Sequence, residues 1–183
     1  FANRNLATPN MAGNNTSITY PGSHTVTRHY DDASRLDAVT DWNNATTAFG
    51  YDANSNRTSL RKRDGSTLAY QYDLLDRMTV KVVPDRANLA ATHERDVFYT
   101  YDFRGLTTQV RFDSPSGEGV TTVYDKVGRI TSSAINMSSL ARTLTYQYDV
   151  NSNRTRLTYN EGNYITYSYD GLDRPSAVVP TTS

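Results

Sequence analysis

The sequence contains no cysteine and a single tryptophan in 183 residues. The missing cysteines exclude disulfide frameworks, thiolate zinc sites and cysteine nucleophiles, and leave the compartment undetermined, because secreted chains can lack cysteine too. Long hydrophobic runs are also absent. With 37% hydrophobic residues and a mean hydropathy of -0.66, no stretch reaches the roughly 18 apolar residues that a membrane-spanning helix requires. Neither charge sign is in excess, since 19 Lys and Arg face 19 Asp and Glu, which argues against a dedicated nucleic-acid binder. No helix-period segment of useful length occurs, so the expected class is all-β.

Tyrosine is what the sequence has instead: 14 residues, against five Phe, three Met and one Trp. Half of them fall in a repeated dipeptide. Tyr30-Asp31, Tyr51-Asp52, Tyr72-Asp73, Tyr101-Asp102, Tyr124-Asp125, Tyr148-Asp149 and Tyr169-Asp170 are spaced 21, 21, 29, 23, 24 and 21 residues apart. Near-even recurrence of this kind marks an internal repeat.

Each repeat specifies a hairpin. Upstream of the dipeptide the residues alternate, as in Leu68-Ala69-Tyr70-Gln71-Tyr72 and Ile165-Thr166-Tyr167-Ser168-Tyr169, the period of a half-buried strand. Downstream lies a recurrent arginine: Arg35, Arg57, Arg77, Arg129, Arg154 and Arg174, with Leu106 in its place after Tyr101. The residue before it is Ser34, Asn56, Asp76, Gly105, Gly128, Asn153 or Asp173, mostly types that tolerate a left-handed backbone in a tight turn. The aspartate is read as a turn-former whose carboxylate accepts hydrogen bonds from turn N–H groups two or three residues on. Return turns are expected at Pro21-Gly22, Asp64-Gly65, Ser114 to Gly117 and Glu161-Gly162-Asn163, with a looser loop from Pro84 to Asp96 holding a helical turn at Asn88 to Thr92. Residues 1–15 read as an irregular Asn-rich lead and residues 16–183 as seven hairpin repeats. About 14 strands in an antiparallel meander exceed the roughly 10 that an open twisted sheet holds without curling, which implies an open spiral or shell wall. The free edges imply continuation in a longer chain, capping by residues 1–15, or pairing between copies.

The Tyr-Asp-x-x-Gly-Arg hairpins, above all Tyr51-Asp-Ala-Asn-Ser-Asn-Arg-Thr58 and Tyr148-Asp-Val-Asn-Ser-Asn-Arg-Thr155, resemble RHS or YD repeats over about residues 20–175. The resemblance implies a long sheet wound into a hollow shell, as in bacterial RHS polymorphic toxins, the encapsulating components of insecticidal toxin complexes and, more distantly, the teneurin barrel of animal adhesion proteins. It implies secretion or cell-surface display. The partners it implies are the remainder of a longer RHS-type chain, or copies of the chain, and an enclosed toxin polypeptide. The Asp-rich self-cleaving motif of the toxin branch is not found in the sequence.

Other chemistry finds little support. Asp52-Ala-Asn54-Ser-Asn56 and Asp149-Val-Asn151-Ser-Asn153 imitate half a calcium loop, but Arg57 and Arg154 occupy the position that needs glycine. His24, His29 and His93 lack the convergent ligands of a metal site, and His93-Glu94 has no second histidine four residues on. Arg61-Lys62-Arg63 reads as a solvated face. The Asn-x-Ser/Thr triplets at Asn14, Asn15, Asn44, Asn56, Asn136 and Asn153 matter only in a eukaryotic secretory setting. The repeated carboxylates are equivalent, whereas glycosidase chemistry needs two in unlike environments. No catalytic residue, cofactor or metal is therefore expected. Two readings remain: a non-enzymatic segment of a protective shell around a passenger, and an extracellular self-associating module, filament-forming or adhesive, built by strand-edge pairing.

Overall fold

The computed structural model describes residues 6–85, 94–138, 140–159 and 162–181. The helical turn expected at Asn88 to Thr92, His93, and Glu161 of the expected return turn lie outside them. The described residues form sixteen strands and no helix. They fall into two units, residues 1–95 and 96–183.

The first unit holds β1 (Leu6–Pro9), β2 (Asn15–Tyr20), β3 (His24–Tyr30), β4 (Leu36–Thr40), β5 (Thr46–Tyr51), β6 (Arg57–Arg61), β7 (Thr67–Tyr72) and β8 (Met78–Val82). Every strand pairs antiparallel with its sequence neighbour. The second unit holds β9 (Val97–Tyr101), β10 (Thr107–Phe112), β11 (Gly119–Tyr124), β12 (Ile130–Met137), β13 (Leu140–Tyr148), β14 (Arg154–Thr158), β15 (Tyr164–Tyr169) and β16 (Pro175–Thr181). It is an antiparallel meander of the same kind. No pairing among the described residues joins β1 to β8 or β9 to β16, so each unit is an open sheet.

Sixteen strands rather than about 14 form because the described part of the lead segment, residues 6–15, contributes β1 and the start of β2. Leu6–Pro9 pairs with β2, and a turn at Asn10 to Asn14 connects them. Asn10 lies 21 residues before Asp31, in step with the repeat, and its amide does what the aspartates do elsewhere. Gly13, with φ of 82°, completes the match.

A bulge recurs beside every Tyr-Asp corner. Tyr30 pairs with Leu36 and His29 with Ala38, leaving Asp37 unpaired. The same shift leaves Thr58, Thr79, Thr108, Thr131, Thr155 and Ser176 unpaired. Thr108 and Thr131 donate their hydroxyls to the Thr100 and Val123 carbonyls, at 3.1 and 3.3 Å, which occupies an acceptor beside the broken ladder. Such bulges bend the strand and increase its local twist.

One layer leaves little to bury. Only Leu68 and Tyr70 among the described apolar residues are buried, both on the inward-alternating face of β7. The chain exposes 12243 Å², against about 8900 Å² for a globular protein of its mass. Asp41 is buried yet satisfied, accepting from the Asn43 and Ala45 N–H groups at 2.9 Å and from Arg63 at 3.1 Å. The basic run at Arg61 to Arg63 is thus tied in part to a neighbouring turn. His24 packs in a tilted pair with Trp42, ring centres 5.2 Å apart, and His29 hydrogen-bonds Asp37 at 2.6 Å, so both described histidines have partners.

Candidate functional site: the tyrosine-aspartate corners

The local sequence closes each corner by one rule. Numbering the aspartate as the first corner position, its N–H donates to the carbonyl of the fifth residue, and the fourth N–H donates back to the aspartate carbonyl. This is a three-residue loop with a left-handed fourth residue. That residue is Ser34, Ser55, Asp76, Gly105, Gly128, Ser152 or Asp173, all with positive φ. The carboxylate completes the turn: Oδ1 of Asp125 accepts from the Val127 and Arg129 N–H groups at 3.0 and 2.9 Å. The same pair of bonds occurs at Asp31, Asp52, Asp73, Asp102, Asp149 and Asp170. The acceptors are reached from two and four residues on, not two or three as the sequence suggested, because the left-handed fourth residue turns its own N–H toward the backbone.

This geometry corrects two assignments. Arg57 and Arg154 do not occupy the arginine position of their repeats. Ser55 and Ser152 are the left-handed residues, and Asn56 and Asn153 stand fifth. The Asn-Ser-Asn-Arg stretch misled by one residue. Arg57 and Arg154 instead stand sixth, where their carbonyls accept the next tyrosine hydroxyls and their guanidinium groups lie 5.2 and 4.6 Å from the centres of Tyr70 and Tyr167.

Beyond closing themselves, the corners fasten to one another. Tyr30, Tyr51, Tyr72, Tyr124, Tyr148 and Tyr169 each donate a hydroxyl to the sixth-position carbonyl of the preceding corner, at 2.8 to 3.2 Å. The fifth residue reaches the other way. Arg35 donates Nε to Asp31 at 2.7 Å and Nη1 to the Asp52 carbonyl at 2.8 Å and Ser55 Oγ at 3.1 Å. Its guanidinium lies 4.7 Å from the centre of the Tyr51 ring. Arg129 repeats this pattern on Asp125, Asp149, Ser152 and Tyr148. The asparagine corners use a second joint. Asn54 and Asn56 both donate to Asp76 Oδ1, at 2.9 and 2.6 Å, and Asn151 and Asn153 to Asp173 Oδ1, at 3.0 and 2.7 Å. These amides turn nitrogen, not oxygen, toward the carboxylate, the reverse of a calcium ligand set.

Sequence reading missed Arg104. With Leu106 in the fifth position, the guanidinium comes from the third: Nε to Asp102 at 2.9 Å and Nη1 to the Asp125 carbonyl at 2.6 Å. The available signal was an arginine two residues after the aspartate in the one repeat whose fifth residue is apolar.

The corner carboxylates all stay below the usual aspartate range. At Asp31 the leading cause is the Arg35 backbone N–H; at Asp73 and Asp170 it is the arginine side chain of the same corner. At Asp52, Asp102, Asp125 and Asp149 desolvation is the largest influence and pushes upward, but the hydrogen bonds together outweigh it. Open grooves lie between corners, one of about 620 Å³ lined by Val127, Arg129, Tyr148, Asp149, Val150 and Ser152. Among the described residues no three His, Asp or Glu side chains are placed to hold a metal. Their arrangement can bind neighbouring backbone and fix a repeat spacing.

A family model described as Teneurin YD-shell matches residues 10–180. Its match begins at the extra corner at Asn10. The crystal structure titled TcdB2-TccC3-TEV is similar at a TM-score of 0.68 and 16% identity, covering 96% of this chain and 10% of that one. TcdB2-TccC3 without the hypervariable C-terminal region is similar at 0.67 and 17%, with the same coverage. The chain thus spans about a tenth of the length of these structures, and the likeness establishes the shared fold.

Proposed function

The chain belongs to the Teneurin YD-shell family, and on that premise we propose that it is a non-enzymatic wall segment of an RHS/YD-repeat shell that encloses a toxin or effector polypeptide. The observation that carries this reading is the two-way joint between corners. Six corner tyrosines reach back by their hydroxyls, and Arg35, Asn56, Arg104, Arg129 and Asn153 reach forward, so within each unit side chains as well as strand pairing fix one hairpin to the next. A wall needs that lateral continuity, and a catalyst does not. The equivalence of the carboxylates, each in a similar turn, supports the same conclusion, because acid–base catalysis uses groups set apart by unlike surroundings. Secretion or display at a bacterial surface follows from the family resemblance.

Sedimentation over a concentration series tests the reading, together with the flanking coding sequence. A monodisperse monomer whose parent polypeptide carries further Tyr-Asp repeats supports the shell; a parent without further repeats counts against it. The second reading, a self-associating extracellular module, is favoured by the exposed strand β16 and expects concentration-dependent polymers.

A further inference from the structure

In the second unit one strand outruns its partner. β13 has nine residues and β14 five, and their pairing ends where Thr145 meets Thr158. Leu140 to Thr143 are exposed; they pair with β12 on one flank and, among the described residues, with no strand on the other. The Asp149 N–H faces the β14 arm, donating to the Asn153 carbonyl. Alternation along a strand then turns the backbone groups of Thr143 and Ala141 to the open flank. The Ala141 carbonyl accepts there from Nη1 of Arg142 at 3.1 Å, and among the described residues that guanidinium has no carboxylate partner. The other flank of the hairpin is closed, since Gly119 pairs with Asn136 and Glu118 accepts from the Ser138 N–H.

We propose that residues 140–143 form a strand-addition site for an extended peptide of another polypeptide, one bearing a carboxylate and, two residues on, an apolar side chain. A groove of about 310 Å³ adjoins the free edge, lined by Ser133, Ile135, Arg142, Thr143, Leu144 and Tyr159. Ser133 lies opposite Leu144 and Ile135 opposite Arg142, so the aliphatic groups and the guanidinium share one sheet face. Leu140 is on that face too and is 46% exposed. An antiparallel peptide would take up the Ala141 and Thr143 backbone groups and continue the ladder that β14 leaves. Its residue opposite Arg142 points to the groove face, where an acidic side chain pairs with the arginine and frees the Ala141 carbonyl for a peptide N–H. Its residue two positions on covers Leu140. The same charge disfavours a second copy as occupant. Pairing this edge with its own equivalent, in the register of fullest overlap, sets Arg142 against Arg142, and like charges directly opposite are destabilising.

The site is built from the second unit alone and stands whether or not the chain is part of a shell. The probe is the capped peptide acetyl-Thr-Glu-Thr-Val-Thr-amide, titrated into the full, isotope-labelled chain and followed by backbone amide chemical shifts. Saturable shifts centred on residues 133–144 are expected. Lysine in place of the peptide glutamate should weaken binding about fivefold, the upper end of what one cross-strand charge pair supplies. Arg142→Glu should weaken binding of the original peptide to the same degree and restore binding of the lysine peptide. Ala141→Pro removes an N–H on the open flank and should abolish binding while the amide shifts of β12 keep their strand pattern. Absence of saturable shifts at millimolar peptide, shifts centred elsewhere, or an affinity indifferent to both the charge exchange and Ala141→Pro overturns the proposal. Shifts at the same residues that grow with chain concentration in the absence of peptide would make a second copy the occupant and overturn it as well.

Discussion

At the scale of single residues, the corners show how a small chemical change is absorbed or left uncompensated. Asn56 and Asn153 replace arginine and still reach their own aspartate, with Nδ2 at 3.1 and 3.2 Å from Oδ2. Asn14 stands at the same fifth position of the Asn10 corner, but Asn10 presents an amide where the other corners present a second carboxylate oxygen. The Asn14 Nδ2 is buried without a partner, and the next corner offers Ser34 in place of the Asp76 or Asp173 used elsewhere. Asn10→Asp should therefore supply the missing acceptor and raise stability by about 0.5–1.5 kcal/mol, the usual net worth of one hydrogen bond, as read by urea denaturation. The tyrosine hydroxyls are the complementary case. Tyr148→Phe keeps the ring beside Arg129 and deletes only the 2.9 Å bond to the Ile130 carbonyl. Its expected cost is about 0.5–1.5 kcal/mol, and a variant as stable as the parent would show that the hydroxyl exchanges with water at no loss.

At the scale of the hairpin, the aspartate couples turn geometry to pH. Folding depresses the pKa of all seven corner carboxylates. A group lowered by folding contributes stability that is complete above its unfolded value and is lost as pH falls through the folded value. The chain should therefore hold its melting temperature down to the ordinary aspartate value of 3.8 and lose it below that pH. Flat stability through that range would deny the carboxylates their role. Asp125→Asn should shrink the acid-sensitive amplitude and leave its direction unchanged. Much of this element was legible beforehand: the dipeptide located every one of the seven corners, and alternation placed the strands that enter them. The fifth-position residues were not all legible, because Asn56-Arg57 and Asn153-Arg154 place a donor at two adjacent positions and only the backbone handedness at Ser55 and Ser152 decides between them. The corner at Asn10 escaped because it lacks both letters of the motif, with Pro9 and Asn10 in their places, although its spacing was correct.

For the whole molecule, the decisive fact is the scarcity of buried apolar side chains. Within each unit the described strands form one sheet, so stability is spread over repeated contacts between neighbours, as in other quasi-one-dimensional arrays. Because the urea m-value scales with the surface that unfolding exposes, the chain should show an m-value below that of a globular protein of 183 residues. An m-value at or above the globular expectation would mean that the isolated chain buries its sheet faces, for example by self-association.

The sequence by itself determined the all-β meander, the seven Tyr-Asp corners and the turn-forming role of their aspartates, because these depend on alternation and on hydrogen bonds reaching no more than four residues. Only the tertiary structure decided which side chains join one corner to the next. Arg104 standing in for an apolar fifth residue and the paired asparagines on Asp76 and Asp173 depend on contacts between residues about twenty apart, and those follow from strand register rather than from local spacing.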